Sequence, residues 1–223
     1  IYFVYICLGN QRLYAMIRNL LFDLGGVLMD LDRSRCVRAF DAMGMADADS
    51  FFGLYKQTGP FMSLEEGSID PVTFRRQLRE LLPGGGAGVS DLAIDEALFK
   101  FLIGIPPHRL EALREARLRG YKIYMLSNTN PIMWHGFIAD EFPRSGGHPM
   151  DWYFDGTVTS FEAGVCKPDA KIFGYACSKL CIKPEETLFF DDSAANCAAA
   201  ATLGFATAVV SPGTDVVTLL PED

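Results

Sequence analysis

The sequence is poor in basic residues relative to acidic ones. Its 223 residues include 20 Lys and Arg against 28 Asp and Glu, which gives a formal net charge of −8. This balance excludes a broad basic surface for the phosphate backbone of nucleic acids. A small phosphorylated metabolite remains a suitable partner, because a bound metal ion can supply positive charge locally.

Long apolar runs are also scarce. The opening residues IYFVYICLGN are apolar, but a membrane-spanning helix takes about 20 such residues. The segment has neither a basic stretch nor an evident cleavage site, which disfavours a signal peptide. We expect residues 1–16 to be an N-terminal extension, with a short docking segment as the alternative. We also expect a cytoplasmic protein without a membrane partner.

The cysteine spacing matches no common metal site. Six cysteines are scattered along the chain, and no CxxC pattern joins any of them. In a chain of this length they are expected to be reduced thiols rather than zinc ligands. Cys166 stands beside Lys167, so a lowered thiol pKa is one interpretation of it and simple packing is the other.

Apolar segments alternate with helical patterns, which predicts an α/β fold with a Rossmann-like parallel sheet. Buried strands are predicted at residues 17–23, 121–127, 187–191 and 205–210. Residues 33–105 lack strong strand signals and carry several helical patterns, so they are predicted to form a small inserted helical cap. The α/β core would then comprise residues 17–32 and 106–223. Within the cap, residues 55–66 are candidates to face a pocket.

Polar side chains stand where three of the predicted strands end. They are Asp23, then Ser127 and Asn128, then Asp191 and Asp192. Ligands of an open α/β sheet bind beyond the carboxyl ends of the strands, so these residues are expected to share one crevice with Lys167. Carboxylates packed together repel one another. Mg²⁺ removes this repulsion, prefers oxygen ligands and commonly shares a phosphate oxygen, which suits phosphoryl transfer.

Four ordered motifs carry a resemblance to a known family. They are FDLGGVL (22–28), LSNTN (126–130), GVCKPD (164–169) and LFFDDSAANCAAAATLG (188–204). With these motifs the chain resembles the haloacid dehalogenase-type phosphatases, and LSNTN after DLGGVL looks most like the branch that acts on small sugar phosphates. The resemblance extends over nearly everything from residue 17 onward, including the inserted cap.

The resemblance implies a role for each matching residue. Asp23 would attack phosphorus and form an aspartyl-phosphate, and Lys167 would stabilise the charge of the phosphate and of Asp23. The implied Mg²⁺ ligands are Asp23, the Gly25 carbonyl, Asp191 and Asp192, and the implied phosphate-binding residues are Ser127, Asn128 and Lys167. Asn196 would orient the metal-binding carboxylates.

One position departs from the family pattern. Most of these phosphatases carry a second aspartate two residues after the nucleophile, and here that residue is Gly25. A general acid typically contributes about 10²–10⁴-fold to the rate. Without one, a sugar-1-phosphate would react faster than a sugar-6-phosphate, because its leaving group is more stable. Asp30 and Asp32 are possible substitutes for the acid, although solvated surface residues are the simpler interpretation.

Other functions remain open at the level of the sequence. A 2-haloacid dehalogenase would use the same nucleophile, but a halide site would not favour the Asp191–Asp192 pair. A catalytically weak homologue that binds a ligand or a protein would explain Gly25, although the other motifs are intact. A phosphomutase is a third alternative, in which the missing acid would be more costly. A monomer or a homodimer is expected.

Overall fold

The structure is a computed structural model, and it describes residues 17–52 and 57–221. The expectation for residues 1–16 therefore lies outside the described part. Five parallel strands form the main sheet, in the order β5-β4-β1-β6-β7. Their bounds are β1 Asn19–Phe22, β4 Lys122–Ser127, β5 Gly156–Thr159, β6 Thr187–Asp191 and β7 Ala206–Val209, and a second sheet pairs β2 Asp30–Leu31 with β3 Leu102–Gly104.

The central strand β1 is buried along its whole length, as expected for a parallel strand covered on both faces. Leu20 pairs with Ile123 of β4 on one side and with Leu188 of β6 on the other. The rings of Phe22 and Phe190 stack with centroids 4.7 Å apart. This register brings the carboxyl ends of β1, β4 and β6 to one edge of the sheet.

Helices connect the strands and cover both faces of the sheet. The α-helices are α1 Arg33–Ala42, α2 Ala48–Phe51, α3 Gly59–Glu65, α4 Pro71–Glu80, α5 Asp91–Phe99, α6 Pro107–Leu118, α7 Pro131–Met133, α8 Ala139–Gly146, α9 Met150–Tyr153, α10 Ser160–Ala163, α11 Ala170–Leu180 and α12 Ala194–Thr202. A π-helical turn, Trp134–Ile138, joins α7 to α8, and 3₁₀ turns occur at Pro83–Gly86, Pro184–Glu186 and Val216–Leu219. Among the described residues, no helix has the length and apolar character needed to cross a membrane.

The predicted helical insertion corresponds to α1 to α5. It has its own aromatic centre, in which Phe61 packs against Phe40, Phe52 and Phe74. Where the chain leaves the core and returns to it, β2 and β3 pair in antiparallel fashion. The sequence analysis did not predict these two strands, because each is only two or three residues long and lacks a buried apolar run.

The predicted α/β architecture is confirmed, with one omission in the main sheet. The four predicted strands correspond to β1, β4, β6 and β7, with ends that differ by no more than a few residues. Strand β5 was missed because its sequence, GTVT, is short and contains no run of large apolar residues. It pairs with β4 at one edge of the sheet.

Candidate active site

Asp23 lies directly after β1, at the carboxyl edge of the sheet. Its backbone N–H donates to the Phe190 carbonyl at 2.8 Å, and its Oδ1 accepts from the Leu24 N–H at 2.7 Å. The loop that follows needs glycine at residue 26, where φ is +73° and a Cβ atom would collide with the Asp192 carboxylate. This glycine allows the nucleophile loop and the end of β6 to approach closely.

Lys167 occupies the centre of the carboxylate cluster. Its Nζ atom lies 2.8 Å from Asp23 Oδ1 and 2.7 Å from Asp191 Oδ2, and it also donates to the Leu126 carbonyl at 2.9 Å. The side chain is fully buried. Burial alone would lower the pKa of Lys167, but the charges of Asp191 and Asp23 outweigh it and raise that pKa. The ammonium group therefore stays charged and holds the two carboxylates in place.

Asp191 and Asp192 differ in how they are held. Asp191 is fully buried, and besides Lys167 it accepts hydrogen bonds from the Ser193 N–H at 2.8 Å and from Asn196 Nδ2 at 2.9 Å. Asp192 is partly exposed and lines the cavity, and none of these donors reaches its side chain. Burial, reinforced by Asp191, raises the pKa of Asp192 to about 6. Asn196 thus contacts one carboxylate of the pair, and its role in orienting metal ligands stays a prediction.

The three carboxylates suit a divalent cation. One oxygen each of Asp23, Asp191 and Asp192 can be chosen so that all three lie within 4.8 Å of one another. Burial, together with the neighbouring charges of Asp191 and Asp192, raises the pKa of Asp23 to about 7 despite the opposing effect of Lys167. The positive charge of one lysine therefore does not fully neutralise the three carboxylates. A hard oxygen-liganded cation such as Mg²⁺ fits the donor set and supplies the missing positive charge.

Asn128 and Ser127 lie at the end of β4, facing the same cavity. The side chain of Asn128 forms two hydrogen bonds with the backbone of Lys167, donating to its carbonyl at 3.0 Å and accepting from its N–H at 2.8 Å. These bonds use the amide oxygen and one of the two N–H donors of Nδ2. The other Nδ2 donor and the backbone N–H remain for a phosphate contact. The Ser127 hydroxyl has only a long bond of 3.4 Å to the Asn128 carbonyl, so it is available to a ligand.

A cavity between the cap and the core encloses the cluster. On the core side it is lined by Asp23, Leu24, Gly25, Ser127, Asn128, Thr129, Asn130, Met133, Ile138, Lys167, Asp192 and Asn196; on the cap and hinge side it is lined by Met29, Leu31, Phe52, Gln57, Phe61, Glu65, Leu98, Phe101 and Leu102. The predicted site residues thus meet at one place, and of these only Asp191 does not itself line the cavity. The segment 55–66 does reach the cavity through Gln57, Phe61 and Glu65.

The cysteine beside Lys167 is not activated. Burial raises the pKa of the Cys166 thiol to about 12, and the negative charge of Glu65 adds to this effect. The charge of Lys167 is instead engaged by Asp23 and Asp191. The interpretation of Cys166 as packing is therefore the one that the structure favours, and a lowered thiol pKa is wrong.

These features define a Rossmann-like core with three clustered carboxylates and a buried lysine at the carboxyl edge of its sheet. Residues 17–204 match the family model of the haloacid dehalogenase-like hydrolases. The chain belongs to that family.

Individual relatives match along nearly the whole chain. The sequence is 36% identical over 200 residues to a D-ribitol-5-phosphate phosphatase of Bacteroides thetaiotaomicron, an alignment that covers 90% of this chain and 95% of that protein. A haloacid dehalogenase family enzyme of the same organism, solved in complex with magnesium and inorganic phosphate, superposes with a TM-score of 0.83 at 39% identity and covers 92% and 100% of the two chains. A hydrolase of this type from Porphyromonas gingivalis gives a TM-score of 0.82 at 35% identity, with 93% and 100% covered.

The family and the fold class are thereby confirmed. The predicted phosphatase activity and magnesium cofactor agree with these relatives, of which one is a phosphatase and another was solved with magnesium and inorganic phosphate. The roles of the individual residues stay predictions, which the distances above make specific. Gln57 and Glu65 also line the cavity, and the sequence predicted only that the segment 55–66 containing them could face a pocket. A single glutamate on a helix carries no sequence signal that distinguishes a cavity residue from a solvated one.

Proposed function

We propose that this protein hydrolyses the phosphate ester of a small polyol or sugar, with Asp23 as the nucleophile. The observation that carries the proposal is the position of Asp23 in the cluster: it lies 2.8 Å from a buried lysine and within ligand distance of two further carboxylates, at the floor of a cavity closed by a cap. Such an arrangement can neutralise and orient a phosphoryl group.

The residues divide the reaction between them. The free oxygen of Asp23 attacks phosphorus as the bond to the leaving oxygen breaks, which gives an aspartyl-phosphate. The Ser127 hydroxyl and the backbone N–H of Asn128 are available to bind phosphoryl oxygens, and the nearby charge of Lys167 stabilises the phosphoryl group. Water then attacks phosphorus, and the bond to Asp23 breaks. Lys167 keeps its charge throughout and stabilises Asp23 as the leaving carboxylate.

Asp23, the Gly25 carbonyl and Asp192 would hold Mg²⁺ directly, and Asp191 would support them. Asp191 is the less suitable direct ligand because both of its oxygens accept hydrogen bonds from Lys167, Ser193 and Asn196. When bound, Mg²⁺ neutralises carboxylate repulsion and the charge of the phosphate oxygens.

The cavity wall supports a polyhydroxylated substrate. Gln57 lines the cavity, and its Oε1 atom is buried without a hydrogen-bond partner in the described part of the chain. A buried acceptor of this kind is normally satisfied, so a substrate hydroxyl is a suitable donor. Aromatic and aliphatic side chains make up most of the remaining cap wall, which suits the carbon backbone of a small sugar or polyol. The relative that acts on D-ribitol 5-phosphate is consistent with this class.

The position of the phosphate on the substrate has two candidates. The relative favours a primary phosphate, whereas glycine at residue 25 favours an anomeric phosphate, which needs less protonation of its leaving group. We propose the primary phosphate, which requires that a residue other than Gly25 supplies the proton for the leaving group. A dehalogenase is less consistent with the cluster, because two further carboxylates beside Asp23 would repel a departing halide.

The test is phosphate release from a panel with and without Mg²⁺. The panel holds D-ribitol 5-phosphate, a hexose 6-phosphate and a hexose 1-phosphate, and 2-chloropropionate tests for halide release. Wild-type protein is expected to release phosphate only with Mg²⁺, and Asp23→Asn is expected to abolish the release. Asp41→Asn, at an exposed residue of α1, is the matched control and should stay active. Metal-independent halide release would support the dehalogenase, and Mg²⁺ binding without turnover would support a binding protein.

A further inference from the structure

The place of the missing acid is filled by a hydrocarbon side chain. A Cβ atom built on Gly25 would lie 2.8 Å from Cδ1 of Leu31, and Leu31 itself lines the cavity. An aspartate at residue 25 would therefore have to displace Leu31. With Leu31 and Gly25 in these positions, this part of the site has no proton donor.

The two nearby aspartates do not replace the acid. Asp30 accepts a hydrogen bond from Arg109 at 2.8 Å, and Asp32 caps α1 by accepting from the Arg35 N–H. A hydrogen bond from Ser34 also lowers the pKa of Asp32, which makes it a poor acid at neutral pH. Neither residue lines the cavity. The earlier interpretation of both as surface residues is the one that the structure favours.

Glu65 provides a carboxyl group on the cap side of the cavity. It is the last residue of α3, and it lines the same cavity as Asp23, Lys167 and Asp192. Among the described residues that line the cavity, it is the only carboxylic acid outside the Asp23–Asp192 cluster. It forms no hydrogen bond or ion pair with another described side chain. A partly buried carboxyl without a partner inside a reaction cavity is available to a substrate.

The cap holds this end of α3 directly against the core. A Cβ atom on Gly67, where φ is +64°, would collide with the Phe161 carbonyl of α10, so only glycine permits so close a contact. Glu65 is near enough to Cys166 to raise the pKa of its thiol, and Cys166 precedes Lys167. The contact therefore fixes Glu65 beside the loop that supplies the lysine.

We propose that Glu65 is the general acid and base of this site, in place of the carboxyl group absent at Gly25. In the first step, the protonated carboxyl gives its proton to the leaving oxygen as the bond from that oxygen to phosphorus breaks and the bond from Asp23 forms. In the second step, the resulting carboxylate accepts a proton from water as the water oxygen bonds to phosphorus and the Asp23 bond breaks. The protonated form of Glu65 is restored. This inference rests on the proposed phosphatase function.

The surroundings of Glu65 keep it protonated at neutral pH. Burial, together with the adjacent carboxylate of Glu66, raises its pKa to about 8. It shares the cavity with the charged groups of Asp23, Asp192 and Lys167, and it lies close to the Cys166 thiol. A carboxyl group that is neutral near pH 7 can donate a proton to an alkoxide leaving group.

The experiment compares Glu65→Gln with wild-type protein on two substrates in the presence of Mg²⁺. D-Ribitol 5-phosphate has an alkoxide leaving group that needs a proton, whereas 4-nitrophenyl phosphate releases a stable phenolate. We expect the variant to lose about 10²–10⁴-fold in kcat on the alkyl phosphate. On the aryl phosphate it should give a stoichiometric burst of nitrophenolate followed by slow turnover, because only the second step then needs the base. Glu80→Gln, at an exposed residue of α4, is the matched control and should keep kcat near the wild-type value.

Three outcomes would overturn the role of Glu65. They are an unchanged kcat on the alkyl phosphate, an equal loss on both substrates without a burst, and a rise in KM alone, which would make Glu65 a substrate-binding residue. Circular dichroism of the variant establishes that a loss is not due to unfolding. If wild-type protein released no phosphate from either substrate with Mg²⁺, the proposed function itself would fail, and this is visible before any variant is compared.

Discussion

The Nζ atom of Lys167 lies 2.8 Å from Oδ1 of Asp23, and both side chains are almost completely buried. The lysine comes from the loop before α11, and the aspartate from the end of β1. Their contact joins the two halves of the α/β core at the point where a phosphoryl group would be transferred. The charge of Lys167 therefore stabilises the folded core and also acts in the proposed reaction.

Replacement of Lys167 by methionine should therefore impair both activity and stability. We expect a loss of about 10²–10³-fold in kcat, the usual cost of removing one group that stabilises the transition state. The loss of the buried cation should also destabilise the metal-free protein by about 3 kcal/mol, because Asp191 is left uncompensated. Enzyme assays and urea denaturation measure the two effects. Lys171→Met, at an exposed residue of α11, is the control, and equal behaviour of the two variants would contradict the account.

Asp191 and Asp192 should respond differently to substitution by asparagine. Asp192→Asn should fold normally and lose Mg²⁺ affinity, because Asp192 is the partly exposed member of the pair whose oxygens remain available. Asp191→Asn should lower the melting temperature even without metal, because this carboxylate accepts hydrogen bonds from Lys167, Ser193 and Asn196. Calorimetric Mg²⁺ titration and thermal unfolding distinguish the two. The reverse pattern would show that Asp191 is the direct ligand.

Ionisation of Glu65 should lower the free energy of unfolding as the pH rises. Its ordinary pKa of 4.5 is raised to about 8 in the folded protein, so between these values the folded state binds more protons than the unfolded state. The resulting loss of stability is absent below pH 4.5, grows between pH 4.5 and pH 8, and is complete above pH 8. Glu65→Gln should therefore match wild-type stability near pH 4.5 and exceed it at pH 9, in melting experiments without metal. Glu80→Gln, on the exposed end of α4, is the control, and a constant difference would contradict the raised pKa.

An aspartate at residue 25 should function better when Leu31 is shortened to make space for it. In the Glu65→Gln background, Gly25→Asp combined with Leu31→Ala is expected to recover at least about tenfold of the lost rate on D-ribitol 5-phosphate, because a general acid contributes about 10²–10⁴-fold when well placed. Gly25→Asp alone should recover less, since its Cβ would meet Leu31 at 2.8 Å. Equal recovery by both variants would show that Leu31 does not restrict the site.

The core of the site was predictable because its residues follow strongly apolar strands. Asp23, Ser127 and Asp191 each stand where a buried run ends, and parallel strands bring those ends to one edge. The bonds between Asn128 and the backbone of Lys167 were not predictable, because they join loops 39 residues apart and depend on how both loops fold. The same limitation applies to Glu65, whose position depends on the contact between the cap and the core.

The short strands at the hinge were missed for a different reason. Strand β2 has two exposed residues, so no pattern of buried side chains marks it. It forms because the chain leaves the core there and β3 returns beside it. The placement of Leu31 next to Gly25, and with it the loss of space for an acid, follows from this local pairing.

The central claim is that Asp23 becomes phosphorylated. The most direct measurement is mass spectrometry of peptides from acid-quenched Glu65→Gln protein after brief reaction with 4-nitrophenyl phosphate and Mg²⁺. The account predicts a phosphoryl adduct on the peptide 19–33, assigned to Asp23 by fragmentation and absent when Asp23→Asn is added. An adduct on another residue, or none despite a burst of nitrophenolate, would contradict the assignment of the nucleophile.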